Sequence, residues 1–375
     1  MIKKYNNEKI NSLEYMVLVI FLSRSFYNGI GFQTMLKISK YDTWIALLLG
    51  FIFGFIPILI LCYINKKGIN LFEIIKSKII KFVIILFMIF SFTIILNDFI
   101  NFASLKYLFE TSNLAISLLF ILPAIYIVYK GIETIGRSAL FMFYISIILF
   151  LLNSLALVKY IELNNLKPLF ISGIFPIIKS SIHFIAYSIF PILFLSIIPK
   201  NNESYKVYNK KLIIGYIISS LSIMVILLFV TTVFNYQYTS LFNYPVYFIL
   251  KKVEYEFLSN AENILSLFFV IDYFFTILTY MYLIKYYLKE ELNLRDKKLN
   301  ITFILVNIFI VYISVYGYKN IILLHYITND VLFYVLISFV ILFLCIIPFI
   351  IRKKQDEKKI EMITMKTNWY IIKTR

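Results

Sequence analysis

Residues 13–31, read LEYMVLVIFLSRSFYNGIG, make an apolar run long enough to enter a bilayer, yet Arg24 stands near its middle. Ser23 and Ser25 flank the arginine, and the run then dissolves into Asn28, Gly29 and Gly31. A charge at membrane depth costs at least ~2.5 to 3.5 kcal/mol on insertion scales, so it faces a bundle interior or a wet cavity. Two glycines so close together weaken a helix, and freed backbone groups are tolerated at that depth only where they line a cavity or are buried in protein. The stretch predicts a broken helix whose break lines a site.

Composition sets the class around this feature. Mean hydropathy is +0.86, 61% of the 375 residues are hydrophobic and 15% are charged, more apolar material than a soluble core uses. The chain reads as an all-α polytopic membrane protein whose surroundings are the lipid bilayer. Its net charge of +17 does not point to nucleic acid, because the basic residues sit in the gaps between apolar runs, where the positive-inside rule puts them. Cys62 and Cys345 lie in or beside apolar runs and read as small buried hydrophobes without a disulfide framework. The first apolar run follows a polar start of eleven residues and leads into the bundle, so no cleavable signal peptide is expected.

Crossing ~30 Å of hydrocarbon takes roughly 20 apolar residues, and about ten runs qualify: 12–34, 43–64, 80–105, 114–129, 138–159, 172–199, 211–234, 261–288, 299–317 and 330–351. Alternation places Lys3, Lys66, Lys81, Arg137, Lys206, Lys210, Lys289, Lys297 and the basic tail on one side of the membrane, and far fewer lysines, among them Lys37, Lys106 and Lys251, on the other. That asymmetry predicts both termini in the cytoplasm. The organisation expected is a cytoplasmic start over 1–11, one transmembrane domain over 12–351 and a basic cytoplasmic tail over 352–375.

Ten helices divide into halves of five, approximately 12–159 and 172–351, and an odd number per half inverts the second relative to the first. Each half opens on a helix with a polar interruption: residues 23–31 in the first and SSIHFIAYSIFP, residues 180–191, in the second. Interrupted helices at corresponding positions of inverted halves point to a transporter-like binding site at the midplane. The alternative is that Pro191 kinks a packed helix and that Gly29 and Gly31 allow close packing.

Other polar residues at membrane depth are few. The third run carries Asn97, Asp98 and Asn101; the sixth carries Lys179 and His183 at i and i+4, then Tyr187 and Ser188; the eighth carries Asp272 and Thr276 on one side. Arg24 can neutralise Asp98 or Asp272 as a structural ion pair, since buried charges are normally paired, or these groups can bind a zwitterion or relay protons. Lys179 can snorkel toward the surface, and His183 is either a packing residue or a titratable group reached by solvent. The ligand-binding candidates are therefore Ser23, Arg24, Ser25, Asn28, Gly29 and Gly31 on one wall, Ser180, His183, Tyr187 and Ser188 opposite, and Asp98, Asn101, Asp272 and Thr276 at the sides.

No phosphate-binding glycine loop, HExxH or CxxC occurs, nor any nucleophile triad beyond chance, and the two histidines, His183 and His325, are too far apart to suggest a metal site. Neither enzyme activity nor a cofactor is expected.

Four stretches carry a resemblance. They are DTWIALLLGFIFG at 42–54, KGIETIGR at 130–137, NNLKPLFISGIFPIIKS at 164–180, and NYPVYFILKKVEYEFLSNAENILSLFF at 243–269, with Tyr244, Pro245 and Glu262 in place. With the helix plan, they make the chain resemble the B subunits of spore germinant receptors, within the amino acid, polyamine and organocation transporter superfamily. The resemblance implies a leucine-transporter-like fold of two inverted five-helix repeats with helices 1 and 6 broken. It also implies residence in the spore inner membrane beside a receptor A subunit and a C lipoprotein. A small germinant, an amino acid above all, would bind between helices 1, 3, 6 and 8 and trigger ion release through the complex. Two departures stand out: Ile189, Phe190 and Pro191 replace a glycine and an acidic residue near the helix 6 break, and Arg24, Phe26 and Tyr27 replace a small-residue run in helix 1. A proton- or sodium-coupled secondary amino acid transporter, or a subunit whose polar interior conducts ions, fits the same residues.

Overall fold

The computed structural model describes residues 9–66, 75, 77–252, 261–319 and 326–342. Residues 1–8, His325, Cys345, the end of the tenth run and the basic tail expected over 352–375 lie outside the described residues.

The described chain is a bundle of α-helices with no strand. Asn11 opens the first helix, α1 (Ser12–Arg24), with a reciprocal cap: its side chain accepts from the Glu14 amide at 2.9 Å, and Glu14 Oε2 accepts from the Asn11 amide at 3.0 Å. A 3₁₀ turn (Ser25–Asn28) and Gly29 separate α1 from α2 (Ile30–Ser39), so the first apolar run is broken where the polar residues predict. After α3 (Thr43–Lys66) come α4 (Lys78–Lys106), α5 (Asn113–Lys130), α6 (Ile132–Leu157) and α7 (Ile174–Leu193). Next are α8 (Tyr205–Thr239), the short α9 (Pro245–Leu250) and α10 (Ala261–Leu265), then α11 (Leu267–Glu290), α12 (Asp296–Tyr312) and α13 (Leu332–Leu342). Eight helical stretches among the described residues are long and apolar enough to cross a membrane, running from Gly31–Lys66 to Asp296–Gly317.

The sixth run differs from expectation. Its α-helix continues through residues 180–191 and gives way to a 3₁₀ turn only at Phe194–Ile197, past Pro191. The polar side chains there do not open the helix because they bond back into it: Ser181 Oγ donates to Ile178 O at 2.7 Å and Ser188 Oγ to Phe184 O at 2.7 Å. Proline lacks an amide hydrogen and crowds the preceding turn, which weakens the helix around Pro191.

Burial shows which helices are central. The apolar window of Ile174–Ile197 is 89% buried and that of Glu262–Glu290 72%, against 28% for Asn113–Lys130 and Ile132–Tyr160. Helices α1, α7 and α11 therefore form the interior, while α5 and α6 present Leu119, Leu122, Tyr126, Phe141 and Leu155 outward, as lipid-facing helices do. Close approach requires small residues: a Cβ on Gly50 of α3 would stand 2.8 Å from Ser181 O and from the Phe184 side chain of α7.

Two corner contacts hold the interior from opposite faces of the bundle. On the face where residue 9 lies, the Ile10 amide donates to Pro199 O at 3.1 Å, the Asn201 amide donates to Ile10 O at 3.0 Å, and Lys81 pairs with Glu291 at 2.5 Å. On the opposite face, Asp42 between α2 and α3 accepts from the amides of Phe170 at 2.6 Å and Ser172 at 2.9 Å, pinning the connection that leads into α7.

Candidate ligand site at the break in the first helix

The break is built from two helix ends that almost meet. At the end of α1, where aligned peptide dipoles leave partial negative charge, Arg24 Nη2 lies 2.5 Å from Asp272 Oδ1 of α11 and 3.1 Å from Ser146 Oγ of α6. Both charged side chains are buried, Arg24 at 5% exposure and Asp272 at 0%.

At the start of α2, where the dipole leaves partial positive charge and no side chain caps the helix, the neighbour is a carboxylate. A Cβ on Gly29 would stand 2.7 and 2.8 Å from the Asp98 oxygens and 2.8 Å from the Tyr244 ring. Glycine is required because Asp98 of α4 presses directly on this backbone. Tyr273 donates its hydroxyl to Asp98 Oδ2 at 2.5 Å, and the Tyr244 hydroxyl lies 3.1 Å from Oδ1 and 2.9 Å from the Asp98 carbonyl. Each pole of the break thus faces an opposite charge supplied by the chain itself.

Other expected residues take varied places. Asn28 donates to Phe269 O of α11 at 3.4 Å, Ser25 Oγ bonds back to Leu22 O at 2.9 Å, and Ser23 Oγ is buried with no hydrogen-bond partner among the described residues. Gly31 is packed against the Phe26 carbonyl and the Tyr27 ring. Thr276 Oγ1 returns to Asp272 O at 2.9 Å. Asn101 is engaged away from the break: it donates to Asn97 Oδ1 at 3.0 Å, and Asn97 donates to Ser314 O at 2.8 Å. Tyr187 stacks on Phe26 with ring centres 5.6 Å apart, while Tyr27 donates its hydroxyl to Phe184 O at 3.1 Å, so aromatic packing fastens the break to α7.

Ser180 and His183 lie nearer the opposite face. Ser39 Oγ donates to Ser180 Oγ at 2.9 Å, joining the end of α2 to α7. His183, 1% exposed, stacks on Phe333 with ring centres 3.7 Å apart, and neither ring nitrogen has a hydrogen-bond partner in the described structure. It lines a cavity of about 160 Å³ with Thr34 and Lys37 of α2, Lys179 of α7, and Asp330, Phe333 and Tyr334 at the start of the last described helix. Among the described residues no group of three or more His, Cys, Asp and Glu could hold a metal ion.

Sequence reasoning overlooked Tyr244, Tyr273 and Ser146 as partners of the buried charges. With 30 tyrosines in the chain, nothing in their pattern singles out two. The adjacency of Tyr273 to Asp272 and the Tyr244–Pro245 pair were the available signals. Lys37 and Asp330 were missed because they fall at run ends, where charged residues are ordinary.

Helices packed around a broken first helix with paired charges at its two inner ends define an integral membrane protein of transporter fold. Solved structures agree: the crystal structure of a mutant of the Eremococcus coleocola manganese transporter matches with a TM-score of 0.53 at 13% identity, covering 89% of this chain and 75% of that one. The same transporter in complex with an aromatic bis-isothiourea substituted compound matches with a TM-score of 0.51 at 13% identity, covering 89% of this chain and 76% of that one. This likeness establishes a leucine-transporter-like fold. Residues 9–322 match the family model described as spore germination protein, and the chain belongs to that family. Spore germination protein KB of Bacillus subtilis (strain 168) is 25% identical over 290 residues, 73% of this chain and 75% of that protein.

Proposed function

We propose that this chain is the membrane-embedded subunit of a spore germinant receptor. It binds a small nutrient germinant, an amino acid, in a transporter-like pocket beside the broken first helix, and signals ion release through a receptor A subunit and a C lipoprotein. It resides in the spore inner membrane with both termini cytoplasmic. Family membership and the relative named for spore germination support the setting.

The observation that carries the receptor reading is charge pairing at the break. Arg24 with Asp272, and Asp98 with two tyrosine hydroxyls, occupy both poles with the chain's own groups. A transporter must present those poles to cargo and coupling ion in each cycle; a sensor need only bind its ligand differently in two states. The transporter fold itself favours the second reading, a proton- or sodium-coupled amino acid permease.

Counterflow separates the two. The chain reconstituted alone in proteoliposomes is expected to exchange no labelled amino acid, while spores lacking it lose their response to at least one nutrient. Robust exchange by the chain alone would establish the permease instead.

A further inference from the structure

With the nutrient placed at the break in the first helix, the bundle still holds a cavity of about 590 Å³ that this function does not use, on the face where residue 9 lies. We infer that this cavity, between the end of α3, the connection after α7 and the start of α8, binds a small singly charged oxyanion, a carboxylate or a phosphodiester, against the ammonium of Lys200. The site is separate from the break and independent of what the break binds.

The floor carries a cation that the protein does not pair. Lys200 Nζ donates to Asn65 Oδ1 and lies 5.1 Å from the centre of the Tyr15 ring, so its ammonium is turned inward against α3 and α1. An ammonium has three N–H groups; among the described residues only the bond to Asn65 is made, and no carboxylate forms an ion pair with Lys200. Buried charges are normally paired, and elsewhere this chain obeys: Arg24 meets Asp272, and Lys81 meets Glu291. Burial lowers the Lys200 pKa to about 8, and what opposes the shift is the Cys62 thiol rather than a carboxylate.

Asn65 is an independent sign. It is 5% exposed and lines the cavity, yet its Nδ2 has no hydrogen-bond partner among the described residues. Buried polar groups nearly always have one. An ammonium and an unused amide N–H on adjoining side chains suit the oxygens of an anion. The rim adds no second buried cation: Lys9 donates to Asn202 Oδ1 at 3.1 Å at the surface, and the exposed Glu203 accepts from the Ser12 amide at 3.2 Å. One charge on the floor and a carboxylate at the rim favour a monoanion.

The site is fastened to the first helix. Lys200 stands between Pro199 and Asn201, whose carbonyl and amide hold Ile10, and Tyr208 of the cavity wall donates to Ile10 O at 2.6 Å. An anion that holds the Lys200 side chain therefore stabilises the clasp from which α1 runs to Arg24 at the break.

The test is thermal unfolding of the purified full-length chain in a non-ionic detergent at pH 7. Sodium acetate, sodium dimethyl phosphate or dioctanoyl phosphatidylglycerol is titrated against sodium chloride of equal ionic strength. Acetate or dimethyl phosphate is expected to raise the unfolding temperature saturably above chloride; a rise given by phosphatidylglycerol alone assigns the oxyanion to a lipid headgroup. Lys200→Met should weaken the response roughly tenfold or more. Asn65→Asp sets a carboxylate of the same shape beside the ammonium, so it should unfold above wild type in chloride and respond to none of the probes. An equal response in all three chains, or none by wild type beyond chloride, would overturn the site. Should Lys200→Met fail to fold, Asn65→Asp decides alone: a chain no more stable than wild type in chloride that keeps the response shows that Lys200 lacks no counter-ion.

Discussion

Arg24 and Asp272, 248 residues apart, meet at 2.5 Å and tie the end of α1 to the second turn of α11. Neither touches solvent appreciably, and each retains an atom without a hydrogen-bond partner among the described residues, Arg24 Nε and Asp272 Oδ2. The pair is thus a seam between the broken helix and α11, one of the interior helices of the bundle.

Removing one member should cost more than removing both. Arg24→Gln strands the Asp272 carboxylate and Asp272→Asn strands the guanidinium, and breaking a buried pair from one side costs ~3–5 kcal/mol. Arg24→Met with Asp272→Leu replaces the pair by apolar groups and should recover most of that loss. Lys251→Ala, on an exposed lysine, should stay within ~0.5 kcal/mol of wild type. Thermal unfolding of the four variants in detergent completes the comparison; a double variant no more stable than the singles would mean that the two charges are not coupled.

The two tyrosines on Asp98 should differ in weight. Tyr273→Phe removes a short donor, at 2.5 Å, that is aimed at Oδ2 alone, whereas the Tyr244 hydroxyl divides between Oδ1 and the main-chain carbonyl. Hydrogen bonds to charged groups contribute ~1.5–3 kcal/mol, so Tyr273→Phe should lower stability by that order and Tyr244→Phe by less. The unfolding midpoints in detergent rank them directly.

Gly29→Ala should be among the most damaging single-methyl additions. Its Cβ would fall 2.7 Å from an Asp98 oxygen and 2.8 Å from the Tyr244 ring, and neither neighbour is a loose chain end, since both are buried and hydrogen-bonded to each other. Overpacking a well-filled site costs ~1–3 kcal/mol. Asp98→Ser in the same chain makes room and should restore part of the loss, a coupling that a double-mutant cycle measures.

Much of this was legible in residue order. A charge and two glycines in one apolar run announced the first break, and periodic apolar runs announced the bundle. The sixth run misled because serines, a histidine and a proline look like an interruption, while the structure returns the serine hydroxyls to their own helix. Residue order showed that Arg24 would need a carboxylate and offered both Asp98 and Asp272; only the packing of α11 beside α1 decides for Asp272. The stretches behind the family resemblance also acquire physical roles: Asp42 clamps residues 170–172, Gly50 admits α7, and Tyr244 reaches Asp98.

The Asp42 clamp leads to a local prediction. With its two backbone donors, at 2.6 and 2.9 Å, Asp42 fixes a connection whose Leu169, Phe170 and Ile171 are otherwise exposed. Asp42→Ala leaves two amides without their acceptor, so residues 163–173 should become a site of protease cleavage while the bundle stays folded. Limited proteolysis with fragment mapping reads this, and an uncut loop would show that other contacts suffice.

Lys200 makes stability depend on pH. It lies outside the spanning helices, in the connection that Ile10 and the Tyr208 hydroxyl clasp, with its ammonium bonded to Asn65 Oδ1 and 5.1 Å from the Tyr15 ring centre. Burial pushes its pKa down from 10.5 to about 8, opposed in part by the neighbouring Cys62. The unfolded chain holds this proton up to ~10.4, so between pH ~8 and ~10 the unfolded state binds more protons and stability rises with pH. Below pH ~8 both states are protonated, and the full cost of burying the charge is present. Lys200→Met removes that cost. The variant should therefore unfold at a higher temperature than wild type at pH 7, with the gap closing as pH rises from 8 toward 10. Taking the difference between the two chains at each pH cancels groups they share. A gap independent of pH would show that Lys200 keeps an ordinary pKa in the fold.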